Sequence, residues 1–359
     1  MRSKNNKLDF TGQTIYIGMD THKKQFTITL LGEHLSYKTF SQPPKPGVLI
    51  DYLKKNYPGA HYFAAYEAGF SGFWIQEELQ SGGVECIVVN PADVPTTDKE
   101  RKQKRDRLDS RKIARALKNG ELSAIHIPDK RKQQDRSLLR IRQKIIGNQT
   151  RCRNRIKGLL NFYGIDMPEQ FNKSGTHWSK RFMNWLKQLD LGHSSGNGAL
   201  ALLLEEATFL RSLLLRAGRE IRLLSKEERY AEDVRLLLTV PGIGLLTAMI
   251  FLTEVGNVKR FKTLDQLCSY VGLIPNVYGS GEKEKVGDIT KRGNRHLKSH
   301  LIESSWIAAR NDPALSMRYN ELCRRMNGNK AIIRIARKLL NRIRYVLTNK
   351  QEYVLALAA

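Results

Sequence analysis

Lys99–Lys118, KERKQKRDRLDSRKIARALK, places two carboxylates, Asp106 and Asp109, inside a run of lysines and arginines. In a helix the i, i+3 spacing turns both acids to one face. Leu108, Ile113, Ala116 and Leu117 supply apolar contacts to whatever lies behind it. The plain alternative is a solvated helix whose acids pair locally with Arg105, Arg107, Arg111 and Lys112. The rest of the chain decides between the two.

Upstream, TIYIGMD from Thr14 has the β-branched, apolar make-up of a buried strand and ends on Asp20. KQFTITLLGEHLSYKTF reads as two more strands with a turn near Gly32 to His34, so residues 14 to 40 predict a three-stranded antiparallel meander. Pro43, Pro44 and Pro46 then break the chain before a helix through Leu49 and Leu53. HYFAAYE is a short strand that also finishes on an acid, Glu67, and a helix (70–80) and a strand (84–89) follow. The order βββ, α, β, α, β, α brings Asp20, Glu67, Asp106 and Asp109 into one α/β unit. Four carboxylates of this kind are hard oxygen donors suited to Mg²⁺ or Mn²⁺, in a two-ion arrangement that clamps a phosphodiester. Taken singly, Asp20 also fits a turn cap and Glu67 a solvated strand end.

The chain is long enough, at 359 residues, for at least two cores, and its formal net charge of +26 points to a polyanionic partner, nucleic acid by default. No apolar run approaches a membrane span, and the basic start, Met1 to Lys7, lacks the apolar core of a signal peptide. Cys86, Cys152, Cys268 and Cys323 form no CxxC pair, which fits a reducing cytoplasm.

Residues 136–162 and 199–226 each show one apolar stripe among many basic residues, and together predict an antiparallel helical hairpin around a loop-rich insert with Trp178 and Trp185. It reads as a dimerisation element or a spacer, with its basic residues on a nucleic-acid backbone or in solvent. LLLTVPGIGLLTAMIF from Leu236 has the form of a helix-hairpin-helix, where backbone N–H groups at Gly242 and Gly244 can meet a phosphate. Any tight helical hairpin also wants glycine there. Ser280 stands between Gly279 and Gly281, near Lys283, Lys285, Lys291, Arg292 and Arg295; its position fits a turn or a close approach to another molecule. His296 and His300 lack the glutamate and third ligand of a zinc helix. The C-terminal helix, Lys330 to Leu347, is apolar on one stripe and basic on the other.

Taken together, these stretches resemble the DEDD transposases of insertion-sequence family 110, a group that includes the Piv-like DNA invertases and bridge-RNA-guided recombinases. The likeness runs through GMDTHK (Asp20), AYEAG (Glu67), DRLDSRKIA (Asp106, Asp109), VPGIGLLTA and YVGLIPNVYGSGEKEKVGDITKRGNRHL (Ser280). It spans nearly the whole chain apart from the insert around residues 166–196. The resemblance implies a RuvC-like, RNase H-type domain over residues 1–125, in which Asp20, Glu67, Asp106 and Asp109 hold metal. A helical hairpin over 126–235 and a mainly helical transposase domain over 236–359 complete the expected α/β plus α architecture.

The resemblance further implies that Ser280 is a nucleophile that forms a phosphoserine link to DNA. Expected partners are donor and target double-stranded DNA, a structured bridge RNA and further copies of the chain, as a dimer or tetramer. The setting would be prokaryotic, cytoplasmic and nucleoid-associated. Two rivals remain open at this point. In a RuvC-like junction nuclease the four acids activate water and Ser280 is a turn residue; in a purely binding protein the acids do no chemistry.

Overall fold

The run TIYIGMDT forms the central strand of a sheet because its odd positions, Ile15, Ile17 and Met19, are fully buried on one face while its even positions meet a different partner on the other. The computed structural model describes residues 9–32, 37–95, 106–280 and 283–355; the side chains of residues 106, 107, 277–280 and 283–286 lie outside that description. The chain divides into two compact units, Met1–Ile127 and Pro128–Ala359. The expected helical hairpin and C-terminal helices both fall within the second.

In the first unit β1 (Thr14–Thr21), β2 (Phe26–Leu31) and β3 (Lys38–Gln42) make the expected antiparallel meander. β4 (His61–Glu67) and β5 (Glu85–Val89) add parallel strands on the other side of β1, giving the order β3-β2-β1-β4-β5. Helices α1 (Pro46–Asn56) and α2 (Trp74–Ser81) supply the crossovers and cover one face. There Leu49, Leu53, Ile75 and Leu79 pack on Ile17, Met19, Ala64, Tyr66 and Val88. Pro46 opens α1 at a position where a missing N–H does no harm. The other face carries α3 (Asp106–Lys118), whose Ile113 and Leu117 pack against Ala65 and Val89.

The second unit is built on helices. The long pair α4 (Lys130–Phe162) and α6 (Ser194–Leu224) forms the predicted hairpin, with α5 (Lys180–Gln188) between them. One core, around Cys152, Ile156, Leu160, Phe171, Phe182 and Leu204, ties the insert to the hairpin, so this segment is ordered rather than a bare loop. A second and larger core is enclosed by α7 (Glu228–Leu238), α8 (Leu245–Val255), α9 (Leu264–Val271), α10 (Arg295–Asn311), α11 (Pro313–Cys323) and α12 (Gly328–Asn349). The stretch around Ser280, which fitted a turn or a close approach to another molecule, belongs to a β-hairpin of β6 (Pro275–Ser280) and β7 (Lys283–Ile289), with Ser280 at the end of β6.

Candidate active site

Successive strand residues face opposite sides of a sheet, so the register of β1 with β4 fixes where the two strand-end acids lie. Gly18 pairs with Ala65 and Met19 with Tyr66, which puts Asp20 and Glu67 on adjacent strands one step further on. Ala65 belongs to the core under α3, and Gly18 lies directly beneath that helix, so both acids stand on the α3 face. A Cβ built on Gly18 would come within 2.1 Å of the Ser110 carbonyl oxygen and 2.4 Å of the Ala114 nitrogen. The glycine is what allows the helix backbone to lie on the strand.

The direction of α3 follows from its two ends. Lys118 Nζ donates to the Gly32 carbonyl, next to Leu31, which pairs with Tyr16 at the start of β1. Ser110 and Ala114 cross at Gly18. The helix therefore runs antiparallel to β1, and its first turn, with Asp106 and Asp109, comes to the end of the sheet that holds Asp20 and Glu67. Asp109 precedes Ile113 and Leu117 on the ridge over β4. A buried hydroxyl pair, Thr29 Oγ1 to Ser110 Oγ at 2.8 Å, fixes the helix against β2, and Arg111 Nε donates to Thr39 Oγ1.

Asp20 and Asp109 are about four-fifths buried, at 21% and 23% side-chain exposure. Each has a local partner. His22 Nε2 lies 3.2 Å from Asp20, and Lys112 Nζ lies 2.6 Å from Asp109. Among the described residues no three carboxylate or imidazole groups are gathered closely enough to share one ion, and the Asp106 side chain lies outside the described residues. The fold thus brings Asp20, Glu67 and the first turn of α3 to one end of the sheet, with His22 beside Asp20 and Lys112 beside Asp109. The donor set is all carboxylate oxygen on rigid elements, which fits Mg²⁺ or Mn²⁺ and not a softer metal.

In the second unit Ser280 ends β6, directly across from Lys283 in the hairpin register. The side chains of Ser280, Lys283 and Lys285 lie outside the described residues, while Lys291, Arg292 and Arg295 are exposed. Gly244 is exposed at the start of α8 with nothing within 4 Å of a Cβ. Gly242 is different. At φ +85° it lies against α10, where a Cβ would fall 2.3 Å from the Ser304 carbonyl oxygen, so packing alone accounts for this glycine. His296 and His300 are set on α10 as structural groups; burial, ahead of other causes, holds both imidazoles below their ordinary pKa.

Sequence reasoning missed the clamp behind the serine-bearing hairpin. Glu254 is 2% exposed at the end of the apolar α8, and accepts from Arg140 Nε at 2.7 Å, Arg140 Nη2 at 2.9 Å and Asn294 Nδ2 at 2.8 Å. Burial pushes its carboxyl up, and Arg140, Arg136 and Asn294 more than reverse this, leaving the pKa below the ordinary Glu value. Asn294 also caps α10 through Leu297 N and donates its backbone N–H to Tyr270. The two positive-φ glycines Gly272 and Gly293 meet beside it. The signal was present: Glu254 is the lone charge in LLTAMIFLTEV.

An acidic sheet end, framed by a helix of opposite charge and joined in one chain to a basic helical unit, is a candidate site for phosphoryl chemistry on a polyanion. Comparison with known proteins agrees. A DEDD transposase model of the IS110 type matches residues 17–165, and a model described as Transposase IS116/IS110/IS902 family matches residues 234–320. The chain belongs to the IS110 family of DEDD transposases. It is 31% identical over 248 residues to y4qE of Sinorhizobium fredii, named as a transposase; the match covers 68% of this chain and spans 58% of that relative. A second protein of that organism so named, y4rJ, is 27% identical over 91% of this chain and 90% of its own length. The transposase for insertion sequence element IS1111A of Coxiella burnetii is 27% identical over 76% of this chain and 73% of its own. No helix among the described residues is long and apolar enough to cross a membrane.

Proposed function

We propose that this chain cuts and rejoins DNA as the transposase of an insertion sequence, with Asp20, Glu67, Asp106 and Asp109 as the acidic centre of a RuvC-like domain and Ser280 as the nucleophile. The observation that carries this reading is the Gly18 contact, which seats α3 with its first turn toward the end of the sheet where β1 and β4 finish. When bound there, Mg²⁺ or Mn²⁺ supplies Lewis acidity at phosphoryl oxygens. The carboxylates hold that charge and the half-buried sheet end limits water around it. Lys112 offsets the charge of Asp109 in the absence of metal.

Ser280 attacks a DNA phosphorus through Oγ. An Oγ–P bond forms, the DNA P–O bond breaks, the serine proton passes to a basic group, and the departing DNA oxygen leaves as a hydroxyl after protonation. A serine hydroxyl is a weak nucleophile at neutral pH and needs such activation. Lys283, opposite it in register, and the exposed Lys291, Arg292 and Arg295 favour approach of the phosphate backbone. Reversal of the same step rejoins strands without ATP. Ser280 and the acids belong to different compact units, and we assign the acting form to a dimer or tetramer. Exposed apolar residues on α6, Leu202, Phe209 and Leu223, supply surface for self-association. The net charge of +26 supports a structured bridge RNA as a guide beside the DNA, with base pairing choosing the sequence.

The test is a denaturing search for a covalent protein–DNA adduct, with the full chain expressed beside its flanking DNA, a target plasmid and Mg²⁺. An adduct in wild type that is lost in Ser280→Ala and in Asp109→Asn is the expected result. Cutting without an adduct, equal in Ser280→Ala, selects the hydrolytic nuclease instead.

A further inference from the structure

We propose that a groove between the outer face of α12 and the β6–β7 hairpin holds the backbone of duplex DNA, a surface distinct from the acidic centre. The proposal rests on the transposase reading for the identity of the duplex. The groove encloses about 1340 Å³ and, among the described residues, is lined by eight basic side chains against one carboxylate, Asp288. A solvated helix face ordinarily mixes signs and pairs them at i, i+4. α12 does not: GNKAIIRIARKLLNRIRYVLTN contains no Asp or Glu.

Lys330, Arg334 and Lys338 are exposed along the groove at intervals of four residues, so they form one row with a rise of roughly 6 Å per step. Among the described residues none of the three has a carboxylate partner. The deeper cations are already held. Arg342 pairs with Asp312 at 2.6 Å, Arg337 with Asp265 at 2.7 Å, and Lys298 Nζ donates to the Thr290 carbonyl at 2.9 Å. The rim is therefore the part left for a ligand, over a fixed positive field.

The floor narrows the choice of nucleic acid. It is apolar, with Leu273, Ile274, Leu322, Met326 and Ile333, and among the described residues no aromatic side chain lines it. Single-strand sites stack bases on aromatic rings, and the described lining of this groove offers none. A duplex needs only cations for its phosphates and a surface for its sugars. Lys291 and β7 line one side, so a backbone seated here lies against the hairpin that carries Ser280.

The test uses the full-length chain in EDTA, which separates binding from any chemistry at the carboxylates. Affinity for a 30-base-pair DNA duplex is measured over a salt series for wild type and for Lys330→Gln/Arg334→Gln/Lys338→Gln. A second triple variant, Lys45→Gln/Lys54→Gln/Lys55→Gln, removes the same charge from exposed positions in and before α1, and calorimetry verifies that both variants fold. The groove variant is expected to lower the slope of log affinity against log salt by about 3, one for each phosphate left without its cation, and the α1 variant to leave it unchanged. Equal slopes in wild type and groove variant overturn the groove. Equal losses in both variants also overturn it, since net charge then explains the effect. A larger loss with single-stranded DNA or duplex RNA than with duplex DNA overturns the assigned occupant. Wild type that binds no duplex DNA overturns the transposase reading beneath it.

Discussion

Gly18→Ala is the sharpest perturbation of the candidate site, because it adds one methyl at the point where α3 rests on β1. The new Cβ would stand 2.1 Å from a backbone oxygen and 2.4 Å from a backbone nitrogen, against an ordinary contact of 3.4 Å or more. Neither neighbour is a side chain that can rotate away, so α3 must retreat by roughly 1.3 Å. Overpacking of this kind destabilises by about 1–3 kcal/mol. Replacing a strand glycine by alanine would by itself stabilise by roughly 0.5–1 kcal/mol, so steric conflict and propensity oppose each other and the sign of the result is informative. Sterics win, because the clash is with main chain on both sides, and a net loss of about 2 kcal/mol follows. At roughly 4 °C per kcal/mol, calorimetry of the full chain should show the first unit melting about 8 °C lower. Strand cutting should fall further than stability does, by about 100-fold, since a shift of 1 Å at a catalytic group has that effect. If Gly18→Ala melts at or above the wild-type temperature and cuts DNA normally, α3 does not lie on β1 as described. The grouping of Asp106 and Asp109 with Asp20 would then be wrong.

Other predictions concern the second unit. Glu254→Ala leaves Arg140 and Asn294 without their acceptor and should destabilise by about 3 kcal/mol or more, read by urea unfolding. A carboxyl held below its unfolded pKa adds stability that is full above the unfolded value, near 4.3, and is lost as pH falls through the lower folded value. Wild-type stability should therefore decline below that pH, and Glu254→Gln should flatten the decline. Tyr230→Phe removes the hydroxyl that donates to buried Asp135 at 2.7 Å, with an expected loss of about 1.5–2 kcal/mol in the same assay. Gly242→Ala, blocked by Ser304 and held at φ +85°, should lose about 2 kcal/mol or more. Gly244→Ala, with open space around it, should melt with wild type.

Much of the first unit was legible because its signals are local. The β-branched, apolar make-up of TIYIGMD, the proline break before α1 and the acids closing two strands each occupy a few residues, and the strands and helices formed where those patterns lie. The acid pair on α3 was legible as a face bound for the strand-end acids, but the contact that seats the helix was not. Gly18 reads as a weak point in a strand until Ser110, far along the chain, is seen against it. The β6–β7 hairpin escaped because GSGEKEK is rich in turn formers and charge, and its pairing rests on a short register from Pro275 to Ile289. The insert around Phe171 and Phe182 looked like loop because its aromatic residues find their partners only once the long helices stand together. Glu254 stayed hidden for the opposite reason. A single acid in an apolar helix has no pattern, and its meaning lies in Arg140 and Asn294.

The most direct test of the central claim is a Mn²⁺ titration of the full chain followed by electron paramagnetic resonance, comparing wild type with Asp20→Asn, Glu67→Gln and Asp109→Asn. If these carboxylates form one divalent-ion centre at the end of the sheet, wild type binds Mn²⁺ and each single variant weakens that binding at least tenfold, about 1.4 kcal/mol, without a change in fold. If all three variants bind Mn²⁺ as wild type does, the acids do not form a common centre and the account of the site fails.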